Sequence, residues 1–299
     1  MKLAVLADIH SNLPALEAVA ADIDAWRPDA VVVAGDIVNR GPRPAECWAF
    51  VKQREREQGW LLLRGNHEDY VIAHAKPGAP RTGVHFELFQ SSYFTYTRLG
   101  SDAAPLIALP FALDFGAPEP TSSPDPDRRI VGLPPLAAEA GHVRVTHASM
   151  LHNRDCVWPF TSVDDMQAKA GLPAPTLFCV GHTHVPVVRQ VGPTLIVNVG
   201  SVGMPFDRVP RAAYARCVLH NGEWGARVVR LDYDRARAER DFTESGYLAE
   251  GGPLARLQVI ELREARSQLF GWMHHFEQRV VNGELSMSES VDEFIRRGL

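Results

Sequence analysis

The chain has 299 residues, of which 45% are hydrophobic and 22% are charged, and its formal net charge is −5. This balance is typical of a globular protein and excludes a disordered or fibrous one. A negative chain without a cluster of Lys and Arg is not a dedicated nucleic-acid binder, and no apolar run reaches the roughly 20 residues that a membrane span needs.

The cysteines and the first residues bear on cellular location. Cys47, Cys156, Cys179 and Cys217 lie far apart and form no C-x-x-C motif, so they do not resemble a disulfide framework. The first apolar run, residues 3–7, is too short for the core of a signal peptide. We therefore expect reduced cysteines and a cytoplasmic protein.

In chain order, apolar runs of strand length alternate at first with helical patterns. A helix is expected between the first two runs, because Ser11 or Asn12 can cap it, Pro14 suits its first turn, and apolar residues repeat at helical spacing as far as Trp26. A second helix is expected over about 44–58. This order predicts an α/β fold. The runs are 3–7, 30–34, 61–63, 143–145, 177–180, 195–199, 213–219 and 227–231.

The middle of the chain breaks this alternation. Residues 70–110 are rich in aromatic residues, which we interpret as helices inserted as a cap, and the composition of residues 118–126 predicts an exposed loop. We expect one domain over 1–235, with its cap insertion at about 70–130, and a helical C-terminal extension over 236–299 packed on it. Whether that extension closes the domain or makes a homodimer contact stays open.

Five apolar runs are followed at once by side chains that bind metals or transfer protons. Each motif alone has an ordinary explanation, such as a turn or a helix cap. Because the carboxyl ends of strands share one edge of an open α/β sheet, the side chains can nevertheless converge, and their coincidence predicts a functional site. They are Asp8 and His10, Asp36, Asn66 and His67, His147, and His182 and His184.

The ordered set Asp-x-His, Gly-Asp, Gly-Asn-His-Glu, His and Gly-His-Thr-His resembles the calcineurin-like metallophosphoesterase superfamily. The stretches DIHSNLPALEAV and VNVGSVGMPFD look most like its small bacterial and archaeal phosphoesterase branch. The resemblance covers about residues 1–235. It implies a four-layer α/β/β/α sandwich with a dinuclear metal site at one edge of the sheets.

The resemblance also implies which residues bind the two divalent ions. The donors are a mixture of nitrogen and oxygen, which suits manganese first, with iron, zinc, cobalt and nickel as alternatives. Asp36 would bridge both ions. Asp8, His10 and His184 would bind the first ion, and Asn66, His147 and His182 would bind the second.

The implied reaction is in-line attack by a metal-bridging hydroxide at Asp36, with His67 protonating the leaving oxygen. Arg40 and Arg64 resemble the phosphate-binding arginines of Ser/Thr phosphoprotein phosphatases, and with Asn66 they would hold the substrate phosphate. We therefore favour a phosphomonoesterase acting on a small-molecule or protein-borne phosphate ester.

A phosphodiesterase or a dinucleoside-polyphosphate hydrolase is the alternative. A non-catalytic metal-binding scaffold is less favoured, because His67 and all seven ligand positions are present.

One position departs from the pattern of those phosphatases. Where they have an Asp that supports the catalytic histidine, this chain has Asn39. The amide oxygen of Asn39 would accept the N–H of His67 without adding a negative charge, so we expect a less basic His67. Glu68 and Asp69 are candidates to supply the missing carboxylate.

Overall fold

The strands of the protein form two sheets in the computed structural model, which describes residues 1–118 and 128–299. The loop predicted over 118–126 lies, apart from its first residue, outside the described residues. The strands are β1 Lys2–Leu6, β2 Ala30–Val33, β3 Leu61–Leu62, β4 Ala112–Phe115, β5 Ile130–Leu133, β6 Val143–Thr146, β7 Leu177–Val180, β8 Val187–Val191, β9 Thr194–Asn198, β10 Ala212–His220 and β11 Glu223–Leu231.

Helices flank the sheets and continue to the C-terminal end. The first begins after Asn12, whose side chain accepts a hydrogen bond from the backbone N–H of Ala15. Gly100–Ala108 is a 3-10 helix and Met273–Glu277 a π-helix. No helix among residues 1–118 and 128–299 is long and apolar enough to cross a bilayer. The α-helices are α1 Leu13–Trp26, α2 Pro44–Gln58, α3 Asn66–Ala73, α4 Val84–Leu88, α5 Gln90–Leu99, α6 Val163–Ala170, α7 Arg235–Glu244, α8 Tyr247–Glu250, α9 Ala255–Glu264, α10 Leu269–Trp272, α11 Gln278–Val281 and α12 Met287–Arg297.

The order of the strands brings several carboxyl ends together. The first sheet has the order β11-β10-β1-β2-β3, and the second has the order β5-β4-β6-β7-β9-β8. β1, β2 and β3 are parallel to one another, and so are β6, β7 and β9. The loops that follow these strands therefore lie at the carboxyl edges of the sheets, where ligands bind in open α/β folds.

The two sheets face each other across an apolar core. Alternate residues of β1, Leu3 and Val5, pack there with Val145 of β6 and Cys179 of β7. The residue between them, Ala4, belongs to the core on the opposite face, together with residues of α1 and α2. Burial on both faces explains why β1 is a continuous apolar run rather than an alternating one.

The outer face of the second sheet is covered by a helix. Phe178 of β7 and Ile196 of β9 pack there with Met166 of α6. The layers are thus helices, sheet, sheet and helix. This arrangement confirms the predicted four-layer α/β/β/α sandwich.

Three observed strands are absent from the sequence prediction. β4 carries Asp114 in its middle, a fully buried carboxylate that pairs with Arg144 and His142, so its residues show no apolar run. β5 and β8 are the edge strands of the second sheet, and several of their side chains stay exposed. The predicted cap range of about 70–130 includes β4, and its helical part ends at Ala108.

The helices of the cap pack against the C-terminal helices. Leu88 of α4 contacts a cluster that contains Leu257 of α9 and Trp272 of α10. Phe94 of α5 packs in a second cluster with Phe242 of α7. The C-terminal helices therefore lie beside the cap.

Candidate metal centre

Hydrogen bonds join the loops that follow β1, β2 and β7. The backbone N–H of Asp8 donates to the carbonyl of Gly35 (3.1 Å), and that of His10 donates to the carbonyl of Asp36 (3.0 Å). The backbone N–H of His182 donates to Asp8 Oδ2 (2.9 Å). Loops from both sheets thus meet at one edge, as the sequence predicted.

The first group of donor atoms comes from Asp8, His10 and His184. One nitrogen or oxygen atom of each lies within 4.8 Å of the others. His10 Nε2 is 3.0 Å from His184 Nε2, and Asp8 Oδ1 is 3.3 Å from His184 Nε2. All three residues are buried. The structure therefore brings together the three residues expected to bind the first ion.

The second group of donor atoms surrounds His147 Nε2. This nitrogen lies 2.9 Å from Asn66 Oδ1, 3.2 Å from His182 Nδ1 and 3.3 Å from Asp36 Oδ2. The same Asp36 oxygen is 3.7 Å from His10 Nε2 in the first group. The Asp36 carboxylate thus lies between the two groups, at the position of a bridging ligand.

Backbone carbonyls set the orientation of two of the imidazole rings. His147 Nδ1 lies 2.9 Å from the carbonyl oxygen of Ala34, and His184 Nδ1 lies against the carbonyl of Met204. A carbonyl only accepts, so each Nδ1 carries a proton and each Nε2 is directed at the cluster. Outer hydrogen bonds of this kind orient metal-binding histidines in proteins.

The cluster has more hydrogen-bond acceptors than donors. Asp8 Oδ1 and Asp36 Oδ2 are buried and have no hydrogen-bond partner among the described residues. Burial disfavours a charged His147, yet the nearby Asp36 carboxylate outweighs it and raises the pKa of His147 to about 10. The site therefore requires positive charge, and four imidazoles, two carboxylates and one amide fit borderline divalent cations.

The backbone at the ligand positions is strained. Five of the seven expected ligands have positive φ angles: Asp8 (56°), His10 (47°), Asp36 (52°), His182 (69°) and His184 (58°). Non-glycine residues rarely adopt this conformation, which costs of order 1–3 kcal/mol and concentrates at functional sites. The strain is an independent sign of function that sequence patterns do not contain.

Glu68 holds the loops after β2 and β3 together. Its two carboxylate oxygens accept hydrogen bonds from four backbone N–H groups, those of Asp36, Ile37, Val38 and Gly65, at 2.8–3.2 Å. This carboxylate is thereby committed to the backbone, and it does not supply the support for His67 that the sequence left open.

His67 is supported by Asn39, but through the nitrogen of the amide. Asn39 Oδ1 already accepts the backbone N–H of Arg40 (2.9 Å), so Nδ2 faces His67 Nδ1 at 2.9 Å and Ser92 Oγ at 2.8 Å. The expected contact with the amide oxygen is thus wrong. Nδ1 of His67 acts as an acceptor, which leaves its proton on Nε2. Burial lowers the pKa of His67 to about 3.

Arg40 lies beside this cluster and is bound by the C-terminal helices. Its Nη2 is 2.5 Å from Glu261 Oε2, and only 11% of the arginine side chain is exposed. The guanidinium lies over the ring of Phe206 at 5.4 Å. Arg40 Nε is buried and has no hydrogen-bond partner among the described residues. Arg40 also lines the cavity that adjoins the cluster.

The other expected phosphate ligand, Arg64, is directed elsewhere. Its Nε pairs with Asp69 Oδ1 (3.1 Å), and it lines a second cavity together with Lys76 and Arg128. The structure does not bring Arg64 to the metal-ligand cluster. Instead Arg154, from the loop that follows His147, reaches the cavity beside the cluster.

A cavity of about 360 Å³ adjoins the metal-ligand cluster. Asp36, Asn66 and His67 border it on one side. Its lining also includes an apolar surface that we call the distal wall, to which the cap and the C-terminal helices both contribute. The distal wall consists of Leu88, Phe89, Leu269, Phe270 and Met273.

Comparison with protein families identifies one matching domain. The model described as the calcineurin-like phosphoesterase superfamily domain matches residues 1–222. All five loops that carry the expected ligands lie inside the matched region.

Three individual proteins are similar to this chain. The uncharacterized protein MJ0912 of Methanocaldococcus jannaschii is 27% identical over 254 residues, which are 79% of this chain and 89% of that protein. The metallophosphoesterase structure from Sphaerobacter thermophilus has a TM-score of 0.62 at 24% identity and covers 89% of this chain and 100% of its own. The structure of hypothetical protein PH1004 from Pyrococcus horikoshii has a TM-score of 0.65 at 19% identity, over 84% of this chain and 98% of its own. Both structures share the fold.

Proposed function

The chain belongs to the calcineurin-like phosphoesterase superfamily, and on this basis we propose that it is a metal-dependent phosphomonoesterase. Hydrolysis of phosphate esters with divalent metal ions is the activity of the family. The finer proposal rests on one observation: two groups of side chains that could bind metal ions and the guanidinium of Arg40 border one cavity of about 360 Å³.

Seven residues are proposed to hold two divalent ions, of which manganese is the first choice. Two ions at such a site supply a nucleophile at neutral pH and neutralise charge on the phosphoryl oxygens. Asp36 is proposed to bridge them, because its Oδ2 lies between the groups. Asp8, His10 and His184 would hold one ion, and Asn66, His147 and His182 the other.

His67 is proposed to assist the leaving group. Its Nδ1 faces the amide nitrogen of Asn39, so its Nε2 carries a hydrogen that can form a hydrogen bond to the leaving oxygen and stabilise the charge that develops there. Its backbone N–H donates to Asp36 Oδ1 (2.9 Å), which keeps the ring beside the cluster. A neutral imidazole in this tautomer donates a hydrogen bond without carrying a charge into a site that already binds cations.

Two arginines are proposed to bind the substrate phosphate. Arg40 and Arg154 line the same cavity, and the guanidinium of Arg154 lies over the ring of Tyr70 at 4.8 Å. A phosphate monoester is a dianion near neutral pH and has three unbridged oxygens, whereas a diester has two and one charge. Two guanidinium groups therefore match the monoester better.

The test is hydrolysis of para-nitrophenyl phosphate and bis-para-nitrophenyl phosphate by metal-stripped protein reloaded with manganese. We expect a higher kcat/KM on the monoester and no turnover before reloading. His67→Ala should lower kcat by roughly 10²–10⁴, and Asp36→Asn should abolish turnover. The matched control is His85→Ala, which removes an exposed histidine of the cap. Preference for the diester would replace the proposal with a phosphodiesterase, and metal binding without turnover would indicate a scaffold.

A further inference from the structure

Part of the lining of the cavity beside the metal-ligand cluster is apolar. The distal wall, Leu88, Phe89, Leu269, Phe270 and Met273, combines the end of α4 with α10 and the start of the π-helix. Trp272 and Leu254 also border the cavity, and both are buried. A substrate whose phosphate lies at the cluster therefore has apolar surface within reach of the rest of the molecule, beside polar side chains such as Gln258 and Ser267.

Part of this apolar surface is exposed to solvent. Phe270 is 61% exposed and Met273 is 45% exposed, although both belong to helices that are otherwise packed. Burial of apolar surface is favourable by roughly 25 cal/mol per Å². Exposed large apolar residues that line a cavity beside a catalytic cluster are therefore available to bind an apolar group of the ligand.

The backbone of the C-terminal helices presents these residues to the cavity. Met273 and Glu277 begin and end the π-helix, and both line the cavity. Single π-helical turns are rare inside α-helices and occur often at functional sites. The turn thus places one apolar and one acidic side chain on the side that faces the substrate.

The charges around the cavity limit what the substrate carries. Arg40 and Arg154 lie near the cluster, whereas Glu277 is the charged residue that the C-terminal helices contribute to the lining among the described residues. The acidic side chain of Glu277 repels a second phosphate or a carboxylate of the ligand. The volume, about 360 Å³, is near the lower limit for small-molecule sites.

We propose that the substrates are phosphate monoesters of a single compact, uncharged and apolar alcohol, of the size of one substituted aromatic ring. This inference rests on the proposed monoesterase function and adds the substrate class. The distal wall binds the alcohol, so the C-terminal helices determine specificity.

The experiment compares ethyl phosphate with 2-phenylethyl phosphate on the manganese-loaded full chain. Both release a primary alcohol, so intrinsic reactivity is matched and the ring is the main difference. We expect kcat/KM to be roughly 10- to 100-fold higher for the phenylethyl ester. Ethylphosphonate and 2-phenylethylphosphonate are not hydrolysed, and the ratio of their dissociation constants gives the same comparison without turnover.

Alanine variants of the distal wall test which residues produce the preference for the phenylethyl ester. Phe270→Ala and Phe89→Ala should each reduce the phenylethyl-to-ethyl ratio by roughly 3- to 10-fold. Because Phe270 is largely exposed, its truncation does not threaten the fold. The matched control is Phe160→Ala, since Phe160 is 82% exposed and lies outside the cavity lining, and it should leave the ratio unchanged.

The outcomes separate this inference from the proposed function. If both monoesters are hydrolysed with a ratio near one, or if neither phenylalanine variant lowers the ratio, the monoesterase stands and the apolar substrate class is refuted. If neither monoester is hydrolysed while bis-para-nitrophenyl phosphate is, the proposed function fails and this inference fails with it.

Discussion

Removal of the charge of Glu261 should loosen the contact between the C-terminal helices and the proposed phosphate-binding arginine. Glu261 is fully buried, and its Oε2 lies 2.5 Å from Arg40 Nη2. Its Oε1 accepts the backbone N–H groups of Gln268 (2.8 Å) and Leu269 (3.0 Å). The carboxylate therefore joins the loop after β2, helix α9 and the start of α10.

The cost of Glu261→Gln follows from these contacts. If the new NH2 group faces Arg40, a charge-assisted hydrogen bond worth about 1.5–3 kcal/mol is lost and two donors oppose each other. If NH2 faces the backbone instead, two buried N–H groups lose their acceptor at about 1–3 kcal/mol each. Either orientation leaves a buried charge without its partner, so we expect a loss of about 2–5 kcal/mol in the free energy of unfolding.

The assay is urea unfolding followed by circular dichroism, together with kcat/KM on para-nitrophenyl phosphate. Stability should fall by the amount above, and kcat/KM should fall by about tenfold because Arg40 is no longer held at the cavity. The matched control is Glu264→Gln on the same helix, where the side chain is 49% exposed and the expected change is below about 0.5 kcal/mol. Equal stability of the two variants would refute the reasoning.

Three further predictions concern the metal-ligand cluster. Metal binding at pH 7–8 should release a proton, because His147 has a pKa of about 10 in the metal-free protein and must be neutral to bind an ion. The apparent affinity for the metal should therefore rise with pH up to about 10. Equal calorimetric heats of metal binding in two buffers of different ionisation enthalpy would contradict this prediction. Asn39→Asp should raise the pKa of His67 by about 1–3 units, because a carboxylate favours the charged ring. The limb of the kcat/KM pH profile that belongs to His67 then moves to higher pH, and an unmoved profile would exclude the contact. Gly181→Ala should disrupt manganese binding, because the added Cβ would lie 2.5 Å from Asp8 Oδ2; retention of two bound ions per chain in elemental analysis would show that the loops adjust.

Local patterns in the chain were enough to predict most of the central architecture. The continuous apolar run of β1 indicates a strand buried on both faces, and α1 begins at Asn12 as its cap and Pro14 predict. Polar residues at the ends of such runs meet in space because parallel strands end at one edge of a sheet. This rule requires no knowledge of which distant residues touch, so the residues that meet at this edge could be identified from the sequence, and the family resemblance then implied which seven of them would bind metal ions.

Other features depend on residues far apart in the chain, and local patterns do not record them. β4 is a strand although Asp114 is buried in it, because Arg144 neutralises that charge from the neighbouring strand. Similarly, Arg64 follows the same kind of apolar run as the ligands, but Asp69 pairs with it outside the cluster. A polar side chain points toward the partner that satisfies its charge or hydrogen bonds. Which partner is available depends on which distant residues the tertiary packing brings close to it.

The sequence by itself determined the two-sheet fold, its family and the residues that can bind metal. Tertiary structure decided the rest of the site: the nitrogen of Asn39 faces His67, Glu261 binds Arg40 from 221 positions away, and the C-terminal helices complete the cavity with apolar residues. Metal ligands follow from strand ends, which are local, whereas the shape and polarity of a cavity arise only where separate helices pack together.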